Sequence, residues 1–503
     1  MLEERRPEAL IPVGETATPD EGSTPAHRLA WAYRDWAVWL IAVLIFGAYC
    51  AISLFRLLTL NPSSWDLGIY TEYVKQLAHL HAPIVDIRTP GMNLLGDHFQ
   101  IIVGLIAPFF RIFPSSATLL VAQALLTAIS IFPVAQAARE KLGPGAGRAI
   151  GLAYGLSWGL EQMINFDFHE IAFAVPMLAF SLSALLRGKT KAAVWWAVPL
   201  VFVKEDQGFT VAAIGLLMAI SSQRAEVPDR RKTIAGQFLI FWGLAWSFLE
   251  IGVIIPHFNP EHVYYYWKDG GAVGGTFSLG ALLKQPFLGW SEKLQTVIML
   301  LLPTAFTALG SPIALIALPS LALRFFSTNS SYWGTYWHYN ATVMPILFIA
   351  AIDAMARARA RTADGTGRAW LRPVRLAAGR HGPAMMIAVA AALVFQFPVS
   401  TLWSSQTYQI TPHVTAAEAA MSHVPDGATV TTTLDLLAPL AARTDTFWIG
   451  NSGNPATEYI VFDGENSGYS PEPTDIPAFI NQLYPKASYH VIFVADDVYV
   501  FQR

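Results

Sequence analysis

Repeated apolar runs, roughly 17 to 25 residues long, alternate with short polar loops along most of the chain. Such runs are long enough to cross a hydrocarbon core of about 30 Å as helices, whereas barrel strands would alternate over about 10 residues. The runs fall at 36–58, 118–138, 149–164, 171–186, 192–203, 209–220, 234–255, 294–309, 313–326, 341–356 and 385–402. They predict a polytopic α-helical membrane protein of about eleven spans. Residues 98–114 are apolar but short and broken by Pro108 and Pro114, so they read as a juxtamembrane or re-entrant helix.

Charge sorts onto two sides of this pattern. Arg28 and Arg34 before the first span argue for a cytoplasmic N-terminus, and the clusters at Arg139–Arg148, Arg187–Lys191, Arg224–Lys232 and Arg357–Arg380 all fall on the same side. The loops holding WDLGIY, GDHF, NFDFHE, KED and WHY fall outside. Residues 1–34, poor in apolar side chains, read as a disordered cytoplasmic tail with no cleavable signal peptide. The membrane domain covers 35–403, with a first outer loop at 59–117. From 404 to 503 short β-branched and aromatic runs, helical segments and Asp-Gly, Ser-Gly and Pro turns predict a small extracytoplasmic α/β domain whose Asp496-Asp497 turn closes a hairpin.

Composition agrees with lipid as the main solvent. Of 503 residues, 53% are hydrophobic and 14% charged, with a mean hydropathy of +0.40, against about 25% charged in soluble domains. The net charge of −3 carries little information when signs are sorted across a membrane. Cys50 is the single cysteine, which excludes an intramolecular disulfide and a cysteine metal site. Nothing points to nucleic acid.

Carboxylates and imidazoles held at a membrane surface suggest a functional cavity. Asp66 could act as a general base toward an acceptor hydroxyl, or cap an interfacial helix over 67–80. Asp97, His98, Asp167, His169 and Glu170 could bind a divalent cation such as Mg or Mn, with Asp66, Asp167 and His169 as candidate ligands, or hydrogen-bond a phosphate or sugar; they could also simply meet water. Lys204, Glu205 and Asp206 sit between two runs with almost no loop, either as a self-neutralising turn or with Lys204 on a phosphate. Arg324 could pair with a phosphate or snorkel, and Tyr264–Tyr266 could stack on a sugar or line the interface. His338 and Tyr339 stand in an aromatic belt.

WDLGIY, GDHF, FDFHE, VKED and HYNATVMPILFIAA, in this order, resemble a bacterial family of predicted multi-pass membrane proteins without an assigned activity. Their architecture is similar to the GT-C glycosyltransferases. The resemblance covers about 36–500. It implies hexosyl or pentosyl transfer from a polyprenyl-phosphate-linked donor to a cell-envelope glycan, lipid or protein at the outer face of the plasma membrane. It also implies Asp66 as base, Asp167 supporting acceptor or metal, and inversion at the anomeric carbon. Leu67 stands where many such enzymes carry a second acid. The competing readings are an ion- or proton-coupled transporter or lipid flippase, and a non-catalytic envelope scaffold that binds glycan.

Overall fold

The computed structural model describes residues 35–62, 65–266, 272–273, 276–277, 279–366, 369–469, 471 and 473–503. The tail expected at 1–34 lies outside them.

Among the described residues five helices are long and apolar enough to cross a membrane: Trp36–Leu58, Ser116–Leu142, Arg230–Phe258, His338–Ala363 and Ala369–Leu393. Shorter apolar helices at Ile101–Ile112, Glu170–Leu186, Thr190–Phe202, Gln207–Gln223 and Pro312–Phe325 accompany them. Among the described residues these helices do not match the eleven apolar runs one to one. The run at 149–164 is divided between Pro144–Gly155 and Trp158–Asn165. The run at 294–309 leaves the helix after Leu301, where Pro303 removes a donor and Ala305 and Phe306 take φ of 47° and 58°. Hydropathy averages over such breaks and cannot see them.

One pair of helices is joined by backbone proximity. Gly208 lies opposite Gly243 and Gly215 opposite Gly236 in an antiparallel register, and a Cβ built on Gly215 would stand 2.5 Å from the Gly236 carbonyl oxygen. Small residues permit this approach where lipid supplies no hydrophobic drive between helices. At the hub of the bundle, every residue from Val343 to Ile352 is buried, as an all-round apolar helix should be.

The two ends of the bundle differ in charge. At one end Asp35 caps Trp36–Leu58 and receives Arg139 at 3.4 Å and Arg148 at 3.2 Å, while Arg359 donates to the Leu142 carbonyl at 2.7 Å. At the other end the acidic loops converge. The helix Asp66–Ala78 stands there too, with Leu67 through Val74 all buried.

The C-terminal sheet follows a small hairpin of β1 (Ala272–Val273) with β2 (Thr276–Phe277). Its strands are β3 (Thr429–Thr432), β4 (Asp445–Trp448), β5 (Tyr459–Asp463), β6 (His490–Ala495) and β7 (Val498–Gln502), in the order β4-β3-β5-β7-β6. β3 is parallel to β4 and β5, and β7 is antiparallel to β5 and β6. Asp496 and Asp497, with φ of 44° and 60°, turn the last hairpin. Period-two alternation puts Val461 with Ala417 and Ala420 on one face and Ile460 and Phe462 with Ile480 on the other. The short helix Leu437–Ala441 faces the membrane domain: Leu437 joins Leu67 and Ile87 in the main core.

Candidate active site

At the acidic end lies a cavity of about 410 Å³. Asp66, Asp97, His98, His169, Lys204, Glu205, Asp206, Arg324, His338 and Tyr339 line it; Asp167 and Glu170 do not. Six separate segments thus deliver their polar residues to one place.

Glu170 opens the helix Glu170–Leu186 and is fully buried behind the cavity wall. It accepts a hydrogen bond from the Tyr70 hydroxyl, pairs with the His169 ring, and meets Lys204 Nζ at 3.0 Å. Glu205 accepts from His98 Nδ1 at 2.7 Å, Tyr264 Oη at 2.9 Å and the Phe99 amide at 3.3 Å. The triplet Lys204-Glu205-Asp206 is therefore no self-neutralising turn, since its first two members reach partners on other loops. Burial disfavours the His98 imidazolium, but the Glu205 carboxylate outweighs it and raises the His98 pKa above its ordinary value; Glu205 is correspondingly held below its own. Burial raises the Asp206 carboxyl.

Asp97 takes Arg88 Nε at 3.0 Å and the Tyr266 hydroxyl at 3.2 Å, and the Tyr266 ring stacks on His98 with centroids 4.5 Å apart. Tyr264 and Tyr266 thus roof the cavity through their hydroxyls, rather than lining a lipid interface. Arg324 does not snorkel to the surface. It is buried and donates to the carbonyls of Tyr332 at 2.9 Å, Gly334 at 3.3 Å and Tyr339 at 3.3 Å and to Asn340 Oδ1 at 2.9 Å. No carboxylate pairs with it among the described residues.

Asp66 is half-buried and is the first residue of its helix; Trp65 holds the cap position, so the capping role does not apply. Asp167, with φ of 71°, stands 3.8 Å from Arg56 Nε. Its carbonyl accepts from Gln123, which also receives the His169 amide. Among the described residues no group of three His, Cys, Asp or Glu is gathered to hold a metal ion. Asp66, Asp167 and His169 do not fit as a metal set, because Asp167 is turned to Arg56 outside the cavity.

Tyr70 and Arg88 are site residues that the sequence did not single out. Tyr70 lies four residues after Asp66, on the same helical face, which was a usable signal. Arg88 reaches Asp97 only through the fold of the loop.

The family described as "Predicted membrane protein (DUF2079)" matches residues 56–500. The chain belongs to that family. No curated protein matches it. Among solved structures, the DUF2079 chain is similar to ArnT from Cupriavidus metallidurans bound to undecaprenyl phosphate, at 15% identity over 91% of this chain and 97% of that one, with a TM-score of 0.53. Looser likenesses are the oligosaccharyltransferase of Archaeoglobus fulgidus in its apo form (12% identity, 86% and 70% covered, TM-score 0.40) and in complex with Zn and sulfate (12%, 84% and 68%, 0.39). This DUF2079 protein therefore has a GT-C-type fold and is a multi-pass membrane protein.

Proposed function

We propose that the protein is a glycosyltransferase of the bacterial plasma membrane that moves a sugar from a polyprenyl-phosphate-linked donor to a cell-envelope acceptor at the outer face. The N-terminus is then cytoplasmic and the C-terminal domain extracytoplasmic. One observation carries the reading. The cavity joins a buried guanidinium with no carboxylate partner among the described residues, Arg324, to apolar walls at Phe209, Ile251 and Leu323, and Leu323 is 47% exposed. A ligand with an anionic head and a hydrocarbon tail fits that combination: the head neutralises Arg324, and the tail leaves past Leu323 into lipid.

In this reading the Asp66 carboxylate takes the proton of an acceptor hydroxyl. The hydroxyl oxygen forms a bond to the anomeric carbon while the bond to the phosphate oxygen breaks, and that oxygen keeps the electron pair. Displacement in one step inverts the centre. Arg324 and Lys204 stabilise the charge that grows on the leaving phosphate. The fold shared with ArnT supports the donor class, because that protein is known bound to undecaprenyl phosphate.

The test is a titration of the protein in lipid nanodiscs with undecaprenyl phosphate and with undecaprenol. The phosphate form binds at least about tenfold tighter, and Arg324→Lys, which keeps charge but loses the fork, narrows that margin. Equal binding of the two lipids overturns the reading.

A further inference from the structure

His338 is buried, with 2% of its surface exposed, and it lines the cavity. Neither of its ring nitrogens has a hydrogen-bond partner among the described residues. Its ring is wedged among other rings: His169 stacks on it with centroids 3.6 Å apart, and Tyr339 and Phe166 stand at 4.1 Å and 4.6 Å. Packing therefore holds the ring, while its two polar atoms are left over. Buried polar atoms are almost always partnered in native proteins, so an unpaired pair aimed into a cavity calls for a partner that arrives with the occupant.

The chemistry of that partner follows from the neighbours. Arg324 bonds the Tyr339 carbonyl and Asn340, the two residues that follow His338, so an anionic phosphate already has its cation one turn away. A phosphate oxygen only accepts. A neutral imidazole offers one donor and one acceptor, and it is satisfied at both nitrogens by groups that do both, which are hydroxyls. Resting on the transferase reading above, we infer that His338 reads hydroxyl groups of the transferred sugar and is a specificity-determining residue, whereas Arg324 holds the phosphate. His169 is its positioning residue: Glu170 fixes the His169 ring, and that ring backs His338.

The experiment compares undecaprenyl phosphate with its mannosyl, glucosyl and arabinosyl esters, titrated against protein in nanodiscs. His338→Phe keeps a stacked ring without nitrogens, and His338→Gln keeps a donor and an acceptor without the ring. One ester binds the unaltered protein more tightly than undecaprenyl phosphate does. His338→Phe lowers its affinity about tenfold or more, as expected for loss of a buried hydrogen bond, and leaves undecaprenyl phosphate within about twofold. His338→Gln recovers part of the loss. Equal weakening of lipid phosphate and ester, or no weakening of either, overturns the inference, and a fold lost in His338→Phe leaves the same comparison to His338→Gln. If no ester outbinds undecaprenyl phosphate, the inference fails while the phosphate site stands; if undecaprenyl phosphate itself does not bind, the transferase reading fails first.

Discussion

The ring of Trp65 meets that of Trp448 edge to face, with centroids 4.5 Å apart, so the residue before Asp66 is held by the last residue of β4 in the C-terminal domain. Further contacts extend this seam. A Cβ on Gly68 would stand 3.0 Å from Leu437 Cβ, Lys75 donates to the Thr444 carbonyl at 2.7 Å, and Ser116 donates to the Ala438 carbonyl at 2.6 Å. The helix that carries Asp66 and Tyr70 is thus clamped between the cavity and the C-terminal domain. Trp448→Ala is expected to raise amide exchange over residues 66–78 and to lower sugar transfer about a hundredfold, the scale of a 1 Å misplacement of a reacting group. Unchanged exchange by mass spectrometry would show that the clamp is not needed.

Asp66→Asn removes the proposed base and keeps the shape of the side chain. Transfer is expected to fall by about 10² to 10⁴, with undecaprenyl phosphate still bound and the melting temperature unchanged. Full transfer activity in this variant would remove Asp66 from the mechanism.

Glu170→Gln leaves the half-buried Lys204 beside a neutral amide and takes the charge from the buried Glu170 that Tyr70 and His169 meet. Breaking a buried pair by removing one partner costs about 3–5 kcal/mol. The expected result is a much lower melting temperature and little folded protein, read by fluorescence-detected size exclusion. Normal stability would mean that Lys204 finds another partner.

Gly215→Val forces side-chain atoms into the Gly236 backbone, and the helices must part. Overpacking of this kind costs about 1–3 kcal/mol or more. Because Lys204, Glu205 and Asp206 immediately precede the helix Gln207–Gln223, binding of undecaprenyl phosphate should weaken along with stability, whereas Gly252→Ala, with open space around it, should change neither.

The C-terminal domain should respond to pH. Partial burial opposes the His413 imidazolium, but Asp463, 2.8 Å away, raises its pKa above the ordinary 6.5. Burial and the neighbouring Asp463 also raise the Asp435 carboxyl, and Asp463 itself is held low by Asp435 and His413 despite its burial. Groups whose folded pKa is raised lose their contribution as pH rises through it, and a depressed carboxylate loses its contribution as pH falls below about 4. Stability of this domain should therefore be greatest on the acidic side, decline above about 4 through the raised Asp435 carboxyl, and decline further above about 6.5 as His413 loses its proton. His413→Gln should flatten that decline; an unaltered slope in thermal melts from pH 6 to pH 9 would refute the assignment.

Apolar runs and sorted charges were enough, in the sequence alone, to establish that the chain crosses a membrane repeatedly and gathers its acids and histidines at one end. Both follow from transfer free energy, which is a property of composition over a window. Short β-branched and aromatic runs and turn residues likewise revealed the C-terminal α/β unit, because strands buried on both faces read as local apolar runs. Only the tertiary structure decided which polar residues share the cavity. Asp167 and His169 are two residues apart, yet a left-handed backbone at Asp167 turns one to Arg56 and leaves the other beside His338. Lys204 and Glu205 are adjacent, yet they pair with Glu170 and His98 on different loops. Such pairings depend on where six separate segments meet, which no local pattern encodes, and helix breaks such as those at Pro303 and Ser157 vanish in any hydropathy average.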